Sequence, residues 1–520
     1  MARFFRETGL TLVLDENMHG AEKTGGMPLE LTRQMKSMWG RAFVMIMGLA
    51  MFATSSSFAG GLSYAGVGVR ARAMGGAFRG VADDWSAASY NPAGLAFMKA
   101  SELNVSLGTY TPGLAYTPNL SANGYDMGFK DRQKRYPLDE LFPIPSFGGV
   151  GVPSESKGWV FGGAIYWTQD ANYGWDLFKA PDTYYNDYQF AEGNFRTDLD
   201  VIDFHPVAAK KINDNLSVGA GLSLTNGDLV FRKVLFVANP FGAPFDDYPY
   251  DHFLGDFRID GKGFSVGANG GVLWKLNDKV SLGISAQTPV TIKVKGNATL
   301  SMAWPKNTAL ATKQLTVVVE GDTLKPDVFF SGNYSIGNSR KSDDFRPFKM
   351  DLHLPAQLGA GLGWTASSKL TLAFDAVVTF WSVMDKWVIN FEDGGLNTGV
   401  SHLDKVEVPF NWKDQIRLSA GAEYMAREDL VLRGGLYYDG TAAPDSTFGP
   451  GFPDVGNRVG LTFGGSYMLN GHFEVGVAED LGFYSKRNVP TSANGVGQTV
   501  YPGEYSALRV ETLLSMTYRF

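Results

Sequence analysis

The residues that could do chemistry are few, and most are spaced badly for it. The six histidines, at positions 19, 205, 252, 353, 402 and 472, are scattered with no metal-ligand spacing. There is no cysteine, so disulfides, thiolate metal sites and thiol nucleophiles are excluded. Gly263-Phe264-Ser265-Val266-Gly267 matches the G-x-S-x-G nucleophile pattern. That elbow needs a strand–turn–helix, and here it lies inside a glycine-rich strand pattern. No cofactor motif is present. Two sets of residues remain. The first is cationic: Lys413, Arg232, Lys233 and Arg458. A carboxylate head group in a low-dielectric interior needs such a partner. The bland alternative pairs Lys413 with Asp414 or another acid, and Arg458 with Asp454; for Arg458 we favour it. The second set is aromatic. Segment 169–200 carries Trp175 and Phe178 among eight rings, and segment 232–262 carries Phe236, Phe241 and Phe245 among seven. Exposed apolar clusters of this kind mark binding or membrane contact, although they could also pack together as a rigid cap.

The elements that must position these residues read as strands. Charged residues are 19% of the 520, below the roughly 25% of ordinary soluble domains. Glycine (63) and aromatics (13%) are abundant, as tight turns and strands require. The net charge of −7, with no basic stripe visible in the sequence, argues against a nucleic-acid surface. The run AFVMIMGLAMFA, residues 42–53, is too short to span a bilayer as a helix. It follows Lys36 and Arg41 and precedes Ser57-Phe58-Ala59, which reads as a signal peptide over 35–59 cleaved after Ala59. Residues 1–34 read as an over-extended start, with Met35 or Met38 as initiator.

The end of the chain is the clearest strand. Leu508, Val510, Thr512, Leu514, Met516, Tyr518 and Phe520 alternate with a mostly polar set. Long strands of this kind, with aromatics at their ends, follow the outer-membrane barrel pattern. Further strand pairs surround short turns at 213–214, 276–278, 366–368, 426–428 and 469–472, the last around Asn470-Gly471. The connections on the other side are long: 169–200, 232–262, 296–350 and 383–411. The spacing predicts an all-β, antiparallel transmembrane barrel of roughly 14 strands over residues 96–520. Closure is obligatory, because lipid offers no partner to an unpaired backbone group.

Several blocks carry a family likeness. They are Arg72-Ala73, Gly75-Gly76-Ala77, Ala82-Asp83-Asp84 and Asn91-Pro92-Ala93, then LNDKVSLGIS (276–285) and VTIKVKG (290–296). LPAQLGAGLGW (354–364), AFDAVVTFWS (373–382), NWKDQIRLSAGAEY (411–424), LVLRGGLYYDGTAAPD (430–445) and FPDVGNRVGLTFGGSY (452–467) follow. In this order they resemble the FadL/TodX family of outer-membrane channels for hydrophobic compounds, over most of residues 60–520. The resemblance implies that residues 60–95 fold inside the barrel as a plug, or hatch. Arg72, Gly75 and Gly76 would pack against the wall, Asp83 and Asp84 would pair with lumen cations, and Asn91-Pro92 would hand the chain to the first strand. A disordered leader or a first hairpin is the alternative for this segment.

The resemblance further implies an aromatic outer groove, a lumen pocket and a lateral exit. Ligand contacts would fall on Lys413, Arg232, Lys233, Trp175, Phe178, Phe236, Phe241 and Phe245. The substrate would be a long-chain fatty acid or an aromatic hydrocarbon, moving passively without metal or cofactor. The expected partners are that hydrophobic molecule, outer-membrane lipid and lipopolysaccharide, and the barrel-assembly machinery through the terminal Phe520. A non-transporting barrel that docks secreted proteins is the alternative function.

Overall fold

The computed structural model describes residues 66–111, 113–119, 142–152, 158–177, 193–238, 252–303, 317–319, 322–324, 345–397, 402–449, 454–490 and 501–520. The leader assignments for residues 1–59, and positions 60–65 of the plug, lie outside the described residues. The described residues form a closed antiparallel barrel of 14 strands. Six are continuous from the start: β1 (Glu102–Thr111), β2 (Phe142–Gly151), β3 (Trp159–Trp175), β4 (Phe195–Lys211), β5 (Leu216–Ala238) and β6 (His252–Lys275). The next four each come in two parts: β7 (Val280–Gln287 and Val290–Ala303), β8 (Arg346–Leu354 and Gln357–Ser367), β9 (Leu370–Thr379 and Lys386–Phe391) and β10 (Lys405–Pro409 and Gln415–Arg427). The last four are β11 (Leu430–Asp439), β12 (Arg458–Met468), β13 (Phe473–Tyr484) and β14 (Gly503–Arg519). β14 returns to β1 in register from Glu102↔Arg519 to Thr111↔Val510, which closes the ring.

The alternation is inverted relative to a soluble sheet. Along β1, Leu103, Val105 and Leu107 point outward and are about half exposed, while Asn104 and Ser106 are buried inside. Phe161, Phe204, Leu222, Phe264, Phe374, Leu418, Phe463 and Leu514 continue the outward apolar belt. Such a belt belongs against hydrocarbon, not water. Three short turns on one rim close alike. The Asn213, Asn277 and Asn470 side chains each accept two backbone N–H bonds at 2.9 Å, the local bonding that makes asparagine a turn former.

The long connections are shorter than the sequence predicts. Residues 169–175, 195–200, 232–238 and 252–262 are strand, not loop. These extensions project past the belt and keep an apolar inner face, so their outward polar residues disguise them as loop.

The N-terminal segment lies against the inner face of the wall. It contains α1 (Val69–Ala73), α2 (Ala87–Tyr90) and a 3-10 turn (Pro92–Phe97). Its regular structure is scant, so its carbonyls need other partners. Wall side chains supply them. The Ser217 hydroxyl donates to Ala93 O (2.7 Å), Asn269 Nδ2 to Ala88 O (2.7 Å), the Ser281 hydroxyl to Gly80 O (2.6 Å) and the Thr462 hydroxyl to Ala73 O (2.9 Å). Asn91 is extended before Pro92, and its amide donates to Arg79 O and to Val272 O of β6, both at 3.1 Å.

Gly75, with φ 69°, packs on the backbone at Leu436. The close approach is mutual: a Cβ on Gly435 of β11 would overlap backbone atoms of Met74 and Gly75. On the adjacent Gly434, facing outward, the nearest atom would be 3.8 Å away.

Gly435→Val should therefore expel the segment at a cost on the order of 1–3 kcal/mol, while Gly434→Ala should be silent. Trypsin cleavage at Arg70, Arg72 and Arg79 in the refolded protein reads this directly. Heat-modifiable gel mobility confirms that the barrel itself stays folded.

Candidate functional site

The lumen has two fillings. Its outer half, toward the long connections, is apolar. Phe231, Phe257, Phe348, Trp381, Trp387, Phe410 and Trp412 are buried there. Their rings meet edge to face: Trp381–Trp412 at 5.1 Å, Trp387–Phe410 at 4.9 Å and Phe231–Trp387 at 5.5 Å. Such contacts favour a defined packing beyond area burial. The breaks in β7–β10 make this possible. Thr288-Pro289, Pro355-Ala356, the 3-10 turn Trp381–Val383 and residues 410–414 interrupt four neighbouring strands. The last two breaks deliver Trp381, Phe410 and Trp412 into the lumen. Trp175 joins the same cluster, edge to face with Tyr116 at 6.5 Å, and Tyr116 stacks on Tyr505 at 4.3 Å.

The inner half is filled by the N-terminal segment and by ion pairs. Arg72 meets Glu511 and lies 3.5 Å from Asp480. Arg79 Nη1 lies 3.2 Å from Asp375, its Nε donates to Ser285 Oγ (3.0 Å), and its backbone N–H also donates to Asp375 (3.0 Å). The family resemblance implies that Asp83 and Asp84 pair with lumen cations. They pair instead with Arg70 of their own segment, and Arg70 in turn bridges to Glu423 of β10 at 2.7 Å. Ser86 donates both its N–H (2.8 Å) and its hydroxyl (2.6 Å) to Asp84. Burial pushes the Asp84 carboxyl above its ordinary range, against the pull of Arg70 and Ser86. Gly76 (φ 83°) sits beside Arg417.

Between the two fillings lies a cavity of about 150 Å³. Arg79 and Tyr90 of the segment line one side, Tyr166–Gln169 the wall, and Trp381, Gln415 and Arg417 the opposite side. Arg417 Nη1 donates to Asp439 (3.3 Å), Nη2 donates to Gly75 O (3.2 Å), and its guanidinium lies over Tyr437 at 3.9 Å. The wall is irregular where the cavity reaches it. Among the described residues the β2–β3 ladder runs only from Phe147↔Ile165 to Gly151↔Phe161. Beyond Ile165, β3 pairs with β4 alone, through a register shift between Trp167 and Gln169.

The predicted contacts scatter. Lys413 is exposed in the break between the two parts of β10; its N–H donates to Ala442 O, and it does not line the cavity. The cation that does so from the same sequence block is Arg417. Arg232 donates through Nε to Asp256 (2.8 Å), and Lys233 is buried in the outer part of β5. Arg458 pairs with Asp439 (2.5 Å), not with Asp454. Asp454 instead accepts from Thr441 Oγ1 (2.9 Å) and Ala442 N (2.7 Å), and burial pushes its carboxyl up to about 6. Trp175 is in the aromatic cluster. The backbone of Phe236 lies in β5, and Phe178, Phe241 and Phe245 lie outside the described residues.

The fold also gathers a serine, a histidine and an aspartate that sequence spacing did not suggest. Asp203 and Ser223 both contact His205 Nδ1, at 3.0 and 3.2 Å, and Nε2 meets Asn269 Oδ1 at 3.0 Å. A nucleophile relay needs serine and acid on opposite ring nitrogens. Here both touch the same one. The histidine orients Asn269, which holds Ala88.

Residues 50–520 match the family described as outer membrane protein transport protein (OMPP1/FadL/TodX). Among curated proteins, a putative outer membrane protein of Neisseria meningitidis serogroup B is 22% identical over 225 residues, 43% of this chain and 43% of that relative's length. Solved structures show the same fold. A Pseudomonas aeruginosa FadL homologue aligns over 89% of this chain and all of its own, with a TM-score of 0.68 and 18% identity. The Pseudomonas putida toluene transporter TodX aligns over 88% of this chain and 99% of its own, with a TM-score of 0.62 and 17% identity. The match over residues 50–520 and the closed barrel agree: this chain belongs to the OMPP1/FadL/TodX family of outer membrane transport proteins.

Proposed function

We propose that the protein carries compact, neutral hydrophobic molecules of the single-aromatic-ring class passively across the outer membrane. They enter the aromatic outer lumen, pass into the cavity and leave sideways between β2 and β3. The observation that carries this reading is the apolar outer lumen, since the interior of a water-filled porin is polar. The cavity volume of about 150 Å³ suits one ring. Its two cations already have carboxylates, Arg79 with Asp375 and Arg417 with Asp439, so they offer little to an anion. The stretch of β3 at Tyr166–Gln169, which among the described residues has no ladder on its β2 side, supports the sideways exit, because the cavity meets the wall there. Residues 66–98 act as the hatch, and ligand can shift that hatch only by binding its two positions unequally. A secreted-protein docking role would not require the apolar lumen. The exposed terminal Phe520 beside Tyr518 is where assembly machinery would recognise the barrel.

A long-chain carboxylate is the second reading. It is favoured by one observation: Asp439 is shared by Arg417 and Arg458.

Tryptophan fluorescence of the refolded protein, titrated with toluene and with a long-chain fatty acid, separates the two. Toluene should bind saturably, and Arg417→Ala should change its affinity less than about threefold, under 1 kcal/mol. Tight fatty-acid binding that weakens on the order of tenfold in Arg417→Ala would establish the second reading instead. Binding of neither ligand would remove the transport proposal.

The exit has its own test. The chain has no cysteine, so Ser146→Cys with Tyr166→Cys gives a single possible disulfide, at the next position along the β2–β3 ladder. Oxidation should stop uptake into cells and reductant should restore it. Uptake that persists in the crosslinked protein places the exit elsewhere.

A further inference from the structure

We propose that the outer face of β6–β8 holds a binding site for the phosphates of an anionic outer-leaflet lipid. The outward apolar belt ends at Phe264 on β6, Ile284 on β7, Leu358 on β8 and Val383 after the first part of β9. Farther toward the long connections the outward face turns polar and rich in lysine: Lys262 directly follows Phe264 on β6, Lys293 and Lys295 follow Thr291 on β7, and Lys349 follows His353 and Asp351 on β8. Lys262 of β6 stands directly opposite Lys295 of β7, and Lys295 directly opposite Lys349 of β8. Three like charges in one cross-strand row are unfavourable by themselves, because directly opposed side chains are only about 5 Å apart. Lys293 and Lys386 complete the cluster, and a depression of about 420 Å³ lies among Lys293, Lys295, Lys349, His353 and Lys386.

These side chains are committed to the outside. Their neighbours Ile292, Val294, Phe348 and Met350 are buried in the lumen cluster, so the period of two fixes every lysine outward. Some carboxylates are near. Asp228 meets Lys262 at 2.6 Å, Glu392 meets Lys349, Glu407 meets Lys386 at 2.8 Å, and Asp351 stands opposite Lys293. Among the described residues no carboxylate forms an ion pair with Lys293 or with the central Lys295. The pairs that do exist are exposed and screened by water, so each is weak. A phosphate carrying nearly two charges can displace them.

The position selects the ligand. The short turns face the periplasm in barrels of this type, so this rim faces the outer leaflet. The cluster lies just beyond the hydrocarbon edge, at head-group height. A lipid of the lipid A class, with phosphates at that height and acyl chains against Phe264 and Leu358, meets both surfaces at once. A free anion would use only the first.

The test places the full refolded barrel in phosphatidylcholine nanodiscs containing either bis-phosphorylated lipid A or the same lipid enzymatically stripped of phosphate. Lipid retained on the protein after mild detergent release is counted by intact-complex mass spectrometry. The wild type should retain the phosphorylated lipid. The Lys293→Gln/Lys295→Gln/Lys349→Gln variant should lose on the order of tenfold or more in retention. A matched variant on the short-turn rim, Lys211→Gln/Lys279→Gln/Lys369→Gln, should match the wild type. Gel mobility before and after heating shows that each barrel is folded, and Lys295→Gln alone should show a smaller loss in the same direction. Equal retention by wild type and the Lys293 triple variant overturns the proposal. So does equal loss in the short-turn variant, or equal retention of phosphate-free lipid. Displacement by inorganic phosphate at matched concentration would make this a simple anion site and also overturns it.

Discussion

Backbone closure is the constraint on which the rest of the structure depends. Hydrocarbon offers no partner to a free N–H or C=O, so the ladder between Glu102–Thr111 and Val510–Arg519 cannot be left open. Once the ring is closed, the outward face must be apolar and the inside becomes a space to be managed. Fourteen strands enclose more room than their own side chains fill. This chain manages it twice, with a separate segment in the inner half and with aromatic rings in the outer half.

The two fillings differ in kind, and the cavity sits at their junction. The inner one is held by hydroxyls and amides on carbonyls and by guanidinium–carboxylate bridges such as Arg79–Asp375 and Arg70–Glu423. Buried bridges add little net stability relative to apolar packing, but breaking one partner is costly, so they fix position. The outer filling rests chiefly on edge-to-face rings. In the proposed route a mobile apolar guest would be accommodated by the second and stopped by the first, at the level of Tyr166–Gln169, where β3 pairs with β4 alone.

Much of this was legible in the residues. Period-two alternation placed β11–β14 to within a few positions, because each turn carries an Asn or a short polar run that closes it locally. The strand extensions at 195–200 and 252–262 look like loop in the sequence. Above the membrane edge their outward residues become Arg196, Asp198, Asp200, Arg258, Asp260 and Lys262, and the apolar half of the alternation is visible only once the inner face is known. The cavity cations were missed for a related reason. Lys413 and Arg417 share one block, but Arg417 has the inward parity of Gln415 and Ser419, whereas Lys413 precedes the strand. Arg79 sits among glycines with no periodicity to read. His205, Asp203 and Asn269 come from two strands, and their meeting depends on register.

The glycine contact at residue 435 bears on how far the wall can vary. Met74 and Gly75 lie against the backbone of β11, while Ala93 and Ala88 are held by β5 and β6 on another arc of the ring. A side chain can swing aside, but backbones in contact leave nothing that can yield, so position 435 admits no residue larger than glycine without moving the segment. The seat of the N-terminal segment and the line of the wall at β11 are therefore one quantity, set by a side chain that is not there.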